Sequence, residues 1–260
     1  MSAFFCIILI YMYSAPRAQN KFNPSSRDPF KLSRSKIENF IRCPRCFYLD
    51  RRLGIDIPPT PSFTLNNAVD ALLKKEFDIH RAKHIPHPIM DAYGIDAVPF
   101  EHERMDAWRD AIRRGIQFLY EPENLLITGG IDDVWVNSKG ELIIVDYKAT
   151  SKAGDVTLEG SGWEMSYKRQ MEIYQWLFRQ NGFKVSDTGY FVYCNGTTDR
   201  EAFDKKLEFN VTLLPHKGSD AWIPLALKKI RACLMSDTIP AASPSCDYCA
   251  YRKAAQKAEI

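Results

Sequence analysis

The sequence predicts a mixed α/β domain whose sheet is flanked by helices. Its 260 residues, 45% of them hydrophobic and 26% charged, have ordinary globular composition. That composition excludes collagen, a coiled coil and wholesale disorder. Segments with helical spacing and segments rich in strand-forming residues follow one another along the chain. They do so without the regular βαβ alternation of a dinucleotide-binding fold.

The N-terminal segment is predicted to lie outside the fold. The apolar run 4–13 is too short to span a bilayer, which takes about 20 residues. No Lys or Arg precedes this run and no good cleavage site follows it, which disfavours a signal peptide. A short membrane-surface anchor and a non-native extension remain open, and the polar segment 18–27 reads as a linker. We expect an extension and linker over 1–28, a single domain over 29–260, no transmembrane segment and a cytoplasmic location.

Five helices are predicted from apolar residues three or four positions apart. Ser35 can cap the first of them, and Pro44 follows its end. Three prolines make a rigid loop over 58–61, and 80–99 is expected to be irregular. The predicted helices are Lys36–Ile41, Leu65–Phe77, Arg104–Tyr120, Ser166–Arg179 and Ile223–Met235.

Four strands are predicted, and the first two form a hairpin around the four-residue turn 137–140. The predicted strands are Leu125–Val136, Glu141–Ala149, Tyr190–Cys194 and Lys206–Val211.

The hairpin carries the residues with the strongest chemical signal. Asp132 and Asp146 are equidistant from the turn, so their Cβ atoms should lie about 5 Å apart across the strands. Lys148 shares a strand face with Asp146. Two carboxylates this close stay ionised only beside a cation. Because oxygen ligands prefer hard divalent cations, the expected ion is Mg²⁺ or Mn²⁺. A buried Asp–Lys ion pair beside a chance acidic turn explains the same spacing.

Three ordered motifs resemble the RecB-like branch of the PD-(D/E)XK nuclease superfamily. They are Gly129-x-x-Asp132, Asp146-Tyr147-Lys148 and Gln170-x-x-x-Tyr174. The segment 33–49, a short helix running into Cys-Pro, is also similar to the start of that branch. The resemblance implies a restriction-endonuclease-like core over nearly the whole folded chain. It also implies that Asp132, Asp146 and the Tyr147 carbonyl are metal ligands, that Lys148 is the catalytic lysine, and that Gln170 and Tyr174 line the active site.

The first long helix departs from that family pattern. The family has Gly-x-x-x-His there, with the His on the metal, whereas this chain has Asn66-x-x-x-Asp70. Asp is a competent, harder ligand, so Asp70 is the expected replacement, with Glu76 as the fallback.

Two C-x-x-C pairs point to a second metal site. Four thiolates can close a Zn²⁺ site or hold a [4Fe–4S] cluster, and spacing alone does not choose between them. The resembling enzymes carry a [4Fe–4S] cluster on one early cysteine and three late ones. The predicted site would clip the two ends of the chain together, and its ligands are Cys43, Cys46, Cys246 and Cys249.

The charge distribution indicates where nucleic acid would bind. The net charge of the chain is only +3, but residues 31–52 carry seven basic and two acidic residues. Arg42, Arg45 and Arg51 are the expected phosphate contacts, together with Tyr174. The resulting hypothesis is a Mg²⁺-dependent deoxyribonuclease, more plausibly an exonuclease than an endonuclease, acting on single strands or duplex ends in repair, recombination or defence. The alternative is a catalytically weakened nucleic-acid-binding module that serves a helicase or recombinase.

Overall fold

A computed structural model describes residues 19–58, 63–160 and 162–259. The described chain forms a mixed α/β fold with sheets flanked by helices. Its helices are α1 Arg34–Arg42, α2 Pro44–Leu53, α3 Thr64–Arg81, α4 Pro88–Ala92, α5 Met105–Arg109, α6 Trp163–Gln180, α7 Ile223–Met235 and α8 Asp247–Ala258. Its strands are β1 Phe30–Ser33, β2 Ala97–Pro99, β3 Ile116–Tyr120, β4 Leu125–Gly129, β5 Asp133–Asn137, β6 Leu142–Thr150, β7 Thr188–Gly196 and β8 Phe209–Lys217.

The strands form two sheets. The larger has the order β2-β5-β6-β7-β8, in which only the β6–β7 pair is parallel. The smaller has the order β1-β4-β3, with β1 parallel and β3 antiparallel to β4. Strand β6 therefore lies in the middle of the larger sheet, where its backbone is paired on both sides.

Strand β6 is covered by helices on both of its faces. Helix α6 packs on one face and contributes Met171, Ile173 and Leu177 to the main core. Helix α3 packs on the other, where Phe77 joins Tyr147 in a second core cluster. Because side chains alternate along a strand, successive β6 residues face α6 and α3 in turn. A polar residue on β6 is thereby placed beside a helix.

The predicted helix Arg104–Tyr120 is wrong. The segment forms the short helix α5, a turn and then strand β3. Gly115 sits in this turn with φ +69°, and a Cβ on it would lie 2.4 Å from the carbonyl oxygen of Gly129. That residue interrupts the helix and lets β3 pair with β4.

Other sequence predictions are confirmed or shifted. Helix α7 spans the predicted residues, and the other predicted helices and strands overlap those observed. The predicted strand Lys206–Val211 is displaced toward β8, and the single strand Leu125–Val136 is divided into β4 and β5. The sequence does not predict helices α2, α4 and α8 or strands β1 and β2, and α4 and β2 lie in the segment 80–99 that was expected to be irregular.

The segment expected to be a linker takes part in packing. Phe22 is buried in the main core and its ring meets that of Phe30 edge-on, with centroids 5.2 Å apart. The backbone N–H of Phe22 also donates to the Arg51 carbonyl. Packing therefore extends N-terminal to residue 29, the predicted start of the domain. The apolar run 4–13 lies outside the described residues, and no described helix is long and apolar enough to cross a membrane.

Candidate active site

Asp146 and Lys148 occupy the α6 face of β6, as the alternation predicts. Asp146 is fully buried, and its Oδ1 accepts a 2.7 Å hydrogen bond from Gln170 Nε2. The Lys148 ammonium forms an ion pair with Asp146 Oδ2 and lies 4.6 Å from the centroid of the Tyr167 ring. Asp146 therefore engages both of its carboxylate oxygens, Oδ1 with Gln170 and Oδ2 with Lys148.

Asp132 lies across the hairpin from Asp146, in the break between β4 and β5. The pairing of Asp133 with Val145 places the preceding residue opposite Asp146. Asp132 Oδ2 accepts a 2.8 Å hydrogen bond from the Tyr147 backbone N–H. The sequence prediction that these two carboxylates are neighbours is therefore consistent with the register.

Close packing of the Tyr174 ring on residue 129 explains why a glycine lies three positions before Asp132. A Cβ on Gly129 would lie 2.7 Å from Tyr174 Cε1, so a side chain there would displace the ring. Tyr174 is buried, and its hydroxyl accepts a 3.2 Å hydrogen bond from Gln170 Nε2. The glycine lets α6 approach the end of β4, which carries Gln170 to Asp146.

Asp70 is linked to Asp132 by the ammonium of Lys74, which forms ion pairs with both carboxylates. The Lys74 ammonium lies 2.8 Å from Asp70 Oδ2, one helical turn away on α3, and 3.5 Å from Asp132 Oδ1. The fallback carboxylate Glu76 lies elsewhere, because its Oε1 is 2.9 Å from Nε2 of His87. Asp70 is thus the α3 carboxylate that shares a cation with Asp132.

Three further residues border these groups. They are Lys74, Tyr167 and Arg34, whose guanidinium lies 6.0 Å from the centroid of the Tyr174 ring. Lys74 follows Asp70 by four positions and Tyr167 precedes Gln170 by three, so helical spacing could have identified both. Arg34 belongs to the basic stretch expected to contact phosphate, but no local spacing indicates its place beside Tyr174.

A buried ion network supports Asp132 and Tyr147 from the α3 side. Asp133 is fully buried, forms ion pairs with Arg81 and Arg109, and accepts a 2.7 Å hydrogen bond from the Tyr147 hydroxyl. Arg109 Nε also donates to the Asp132 carbonyl at 3.0 Å. This network holds the backbone at Asp132 and the side chain of Tyr147 in place.

Burial dominates the electrostatics of the site. Desolvation raises the pKa of Asp146 to about 6; Lys148 opposes that rise and Asp132 adds to it. Burial works against the charge on Lys148, but Asp146 and Asp132 outweigh it and raise the pKa of that ammonium. Burial also raises the pKa of Tyr174, so its hydroxyl stays protonated. The site therefore places the Lys148 ammonium beside Asp146 and Asp132, whose negative charges are unfavourable without a neighbouring cation.

The four cysteines converge, which confirms the predicted clip between the chain ends. Their Sγ atoms all lie within 4.8 Å of one another, the one such cluster of possible ligand atoms within 19–58, 63–160 and 162–259. The pairs Cys46–Cys246, Cys46–Cys249 and Cys43–Cys249 are 3.5, 3.6 and 3.9 Å apart. All four thiols are free of disulfides.

Both C-x-x-C pairs sit at helix N-termini. Cys43 is the N-cap of α2 and Cys246 the N-cap of α8, so the second cysteine of each pair falls in the first turn. Burial opposes ionisation of Cys43, but backbone hydrogen bonds at Ser243 and Cys46 outweigh it and lower its pKa to about 7. Burial raises the pKa of Cys46 and the side chain of Cys246 adds to that rise, so a metal must displace protons from the cluster when it binds.

The three arginines predicted to contact phosphate have different environments. Arg42 is exposed and Arg45 is half-buried. Arg51 is buried, with Nε bonded to Asp50 Oδ2 at 2.9 Å and Nη1 to the Asn20 carbonyl at 3.2 Å. The structure contradicts the assignment of Arg51, because a guanidinium committed to buried partners is not available to phosphate.

Residues 31–254 match the PD-(D/E)XK nuclease superfamily. Among solved structures, the protein SSO0001 is 17% identical with a TM-score of 0.43, over 83% of this chain and 81% of its own. A candidate exonuclease of Eubacterium rectale is 14% identical with a TM-score of 0.43, over 90% of this chain and 92% of its own. No curated protein matches the chain.

Proposed function

The chain belongs to the PD-(D/E)XK nuclease superfamily, and from this premise we propose that it is a Mg²⁺- or Mn²⁺-dependent deoxyribonuclease. The observation that carries the proposal is the placement of Asp146 and Lys148 on one face of a buried central strand, opposite Asp132. A buried Asp–Lys pair alone would need no second carboxylate beside it, yet Asp132 lies across the hairpin from Asp146.

The residues present fit a hard divalent cation. Asp132 and Asp146 would hold it through carboxylate oxygens, with the Tyr147 carbonyl and Asp70 as further ligands. Such a cation, when bound, polarises a phosphoryl oxygen and lowers the pKa of water. The chain's own oxygens are hard donors, whereas the soft thiolates lie in a separate cluster.

The other side chains position the reacting groups. Gln170 holds Asp146 by its 2.7 Å hydrogen bond and so fixes the direction of the second carboxylate oxygen. Lys148 stays protonated and places positive charge where the scissile phosphate gains negative charge. Arg34 lies beside Tyr174 and carries hydrogen-bond donors for phosphate oxygens, whereas Tyr174 is buried against Gln170 and is not available to phosphate.

Further parts of the proposal concern the substrate and setting. We place the enzyme in the RecB-like branch, acting in the cytoplasm as an exonuclease on DNA strands or duplex ends, in repair, recombination or defence. A helicase or recombinase partner is part of the alternative, in which the fold binds DNA without cutting it. One observation favours that alternative: Lys74 neutralises both Asp70 and Asp132, and thereby competes with a metal ion for them.

A cleavage assay separates the two functions. End-labelled single-stranded and duplex DNA should be degraded with Mg²⁺ or Mn²⁺ and remain intact without them. Asp146→Asn should abolish cleavage, while Asp204→Asn, an exposed carboxylate between β7 and β8, should leave it unchanged. A wild-type protein that binds DNA but never cuts it with either metal supports the binding module instead.

For the cysteine cluster we propose Zn²⁺ as the metal. Tetrahedral coordination with Zn–S bonds of about 2.3 Å separates neighbouring sulfurs by about 3.8 Å, close to the 3.5–3.9 Å that separates three of the six sulfur pairs. A [4Fe–4S] cubane holds its sulfurs about 6–7 Å apart, beyond the 4.8 Å that contains all four. Anaerobically purified protein should be colourless with one zinc per chain; a brown protein that absorbs in the visible would establish iron–sulfur instead.

A further inference from the structure

We propose that Trp163 and Arg42 form a stacking subsite for one unpaired base beside the active site. This inference rests on the proposed function and names the form of its substrate, a single strand or a frayed duplex end. Trp163, at the start of α6, is 66% exposed, whereas Trp108, Trp135 and Trp176 are buried. Its indole face is therefore accessible to a planar ligand.

Arg42 supplies a cation beside that indole. Its guanidinium lies 5.5 Å from the centroid of the Trp163 ring, and the residue is the exposed last position of α1. An exposed cation–π pair contributes only about 0.5–1 kcal/mol by itself. An aromatic platform flanked by Arg is the arrangement that binds single strands, in which bases stack while phosphates pass the cation.

Helical geometry connects the subsite to the active site. Trp163, Tyr167, Gln170 and Tyr174 follow one another at helical spacing and share one face of α6. Tyr167 contacts Lys148 and Gln170 contacts Asp146. Seven residues at about 1.5 Å each separate Trp163 from Gln170 by about 10 Å, or about three base steps at about 3.4 Å each. A strand whose scissile phosphate lies at Asp146 would thus bring a nearby base to Trp163.

A cavity of about 380 Å³ adjoins the indole and is large enough for a nucleobase. Asn39 and Ser166 line it with hydrogen-bonding groups for a base edge. Its walls carry charges of both signs, because Arg42 and Arg169 are basic, Asp247 is acidic and Asp56 is ion-paired with Lys36. The base is the part of the nucleotide that enters, because the Trp163 indole offers it a stacking surface while the phosphates pass Arg42.

The cysteine cluster supplies part of the cavity wall. Cys43, Cys46 and Cys246 line it together with Tyr248, so helix α8 contributes to the same cavity as α6. Glu38, another lining residue, is neutralised by Arg169, with both hydrogen bonds at 2.8 Å. The subsite is consequently assembled from both ends of the chain, and the zinc-loaded full-length protein is the form to test.

Intrinsic fluorescence tests the proposal directly. A single-stranded DNA oligomer should quench the fluorescence of the exposed indole. The buffer contains no Mg²⁺ or Mn²⁺, so the measurement reports binding without cleavage. Trp163→Ala should remove the quenching and weaken binding by about 5- to 150-fold, the range of one base–aromatic stack. Trp163→Phe should recover part of the affinity. Phe203→Ala removes an equally exposed aromatic outside the cavity and should bind like wild type.

The outcomes separate this inference from the nuclease itself. Cleavage with Mg²⁺ but no quenching, or wild-type affinity in Trp163→Ala, overturns the subsite and leaves the nuclease intact. Quenching without cleavage by either metal supports the subsite and overturns the nuclease. A blunt duplex that quenches as strongly as the single strand refutes the requirement for an unpaired base.

Discussion

Replacing Cys246 by Ala should detach helix α8 while the rest of the protein stays folded. None of the α8 side chains is buried, so packing contributes little to holding this helix in place. An isolated helix of 12 residues is marginal in water. If the metal holds α8, a free Zn²⁺ concentration about 100 times the dissociation constant raises the free energy of detaching the helix by about 2.7 kcal/mol. That free energy corresponds to a roughly 100-fold slowing of amide exchange in α8.

Hydrogen exchange read by mass spectrometry measures this protection peptide by peptide. In zinc-loaded wild type the amides of the α8 peptide should exchange slowly. In Cys246→Ala the protection factor of that peptide should fall to near one, the value of an unstructured chain. Peptides from α1 and α2 should keep their protection, because Ile37 and Phe47 are fully buried in the main core. Cys233→Ala is the matched control, since its thiol on α7 lies outside the cluster.

Two results would contradict this reasoning. If α8 stays protected in Cys246→Ala, contacts other than the metal hold the helix. If α1 and α2 lose protection together with α8, the clip stabilises the whole domain and the local description is wrong. Trypsin offers a rapid second measurement, because Arg252 and Lys253 lie within α8 and are exposed.

The remaining predictions concern the acidic site and the basic surface. Lys148→Met should reduce the cleavage rate by at least 100-fold, measured at saturating Mg²⁺, while DNA binding changes less; equal losses in both would make Lys148 a binding residue. In metal-free buffer, stability should fall as pH rises from about 4 to 6, because folded Asp146 keeps its proton to about pH 6 while the unfolded carboxyl has lost it. Thermal unfolding should show that fall in wild type and not in Asp146→Asn, and identical profiles would refute the raised pKa. Arg42→Ala and Arg45→Ala should each reduce the slope of log affinity against log salt by about 0.7 for single strands, whereas Arg51→Ala should lower stability and leave that slope unchanged.

Local patterns in the sequence were sufficient for the hairpin that carries the site. The pairing of β5 with β6 depends on a short turn and on alternation, and both can be read from adjacent residues. The same holds for α7, whose apolar spacing alone defines its limits. The spacing of Asp132, Asp146 and Lys148 was therefore predictable, because the distances between them are set within one hairpin.

Contacts between distant segments were not predictable from local spacing. Residues 116–120 have helical periodicity but form β3, because β4 offers them a strand edge and Gly115 permits the turn. Arg51 lies in a basic stretch that resembles a phosphate-binding surface. One of its hydrogen-bond partners is the Asn20 carbonyl, 31 positions away, and no periodicity records such a contact.

The sequence by itself determined the motifs, the identity of the candidate ligands and the pairing of cysteines in twos. Only the tertiary structure decided that the two C-x-x-C pairs meet, with Cys46 and Cys246 3.5 Å apart although 200 positions separate them. It also decided that Lys74 joins Asp70 to Asp132, because α3 and the hairpin are distant in sequence and meet through tertiary contacts with β5 and β6. The physical reason is that propensity and periodicity act over a few residues, whereas burial of the core selects which distant surfaces come together.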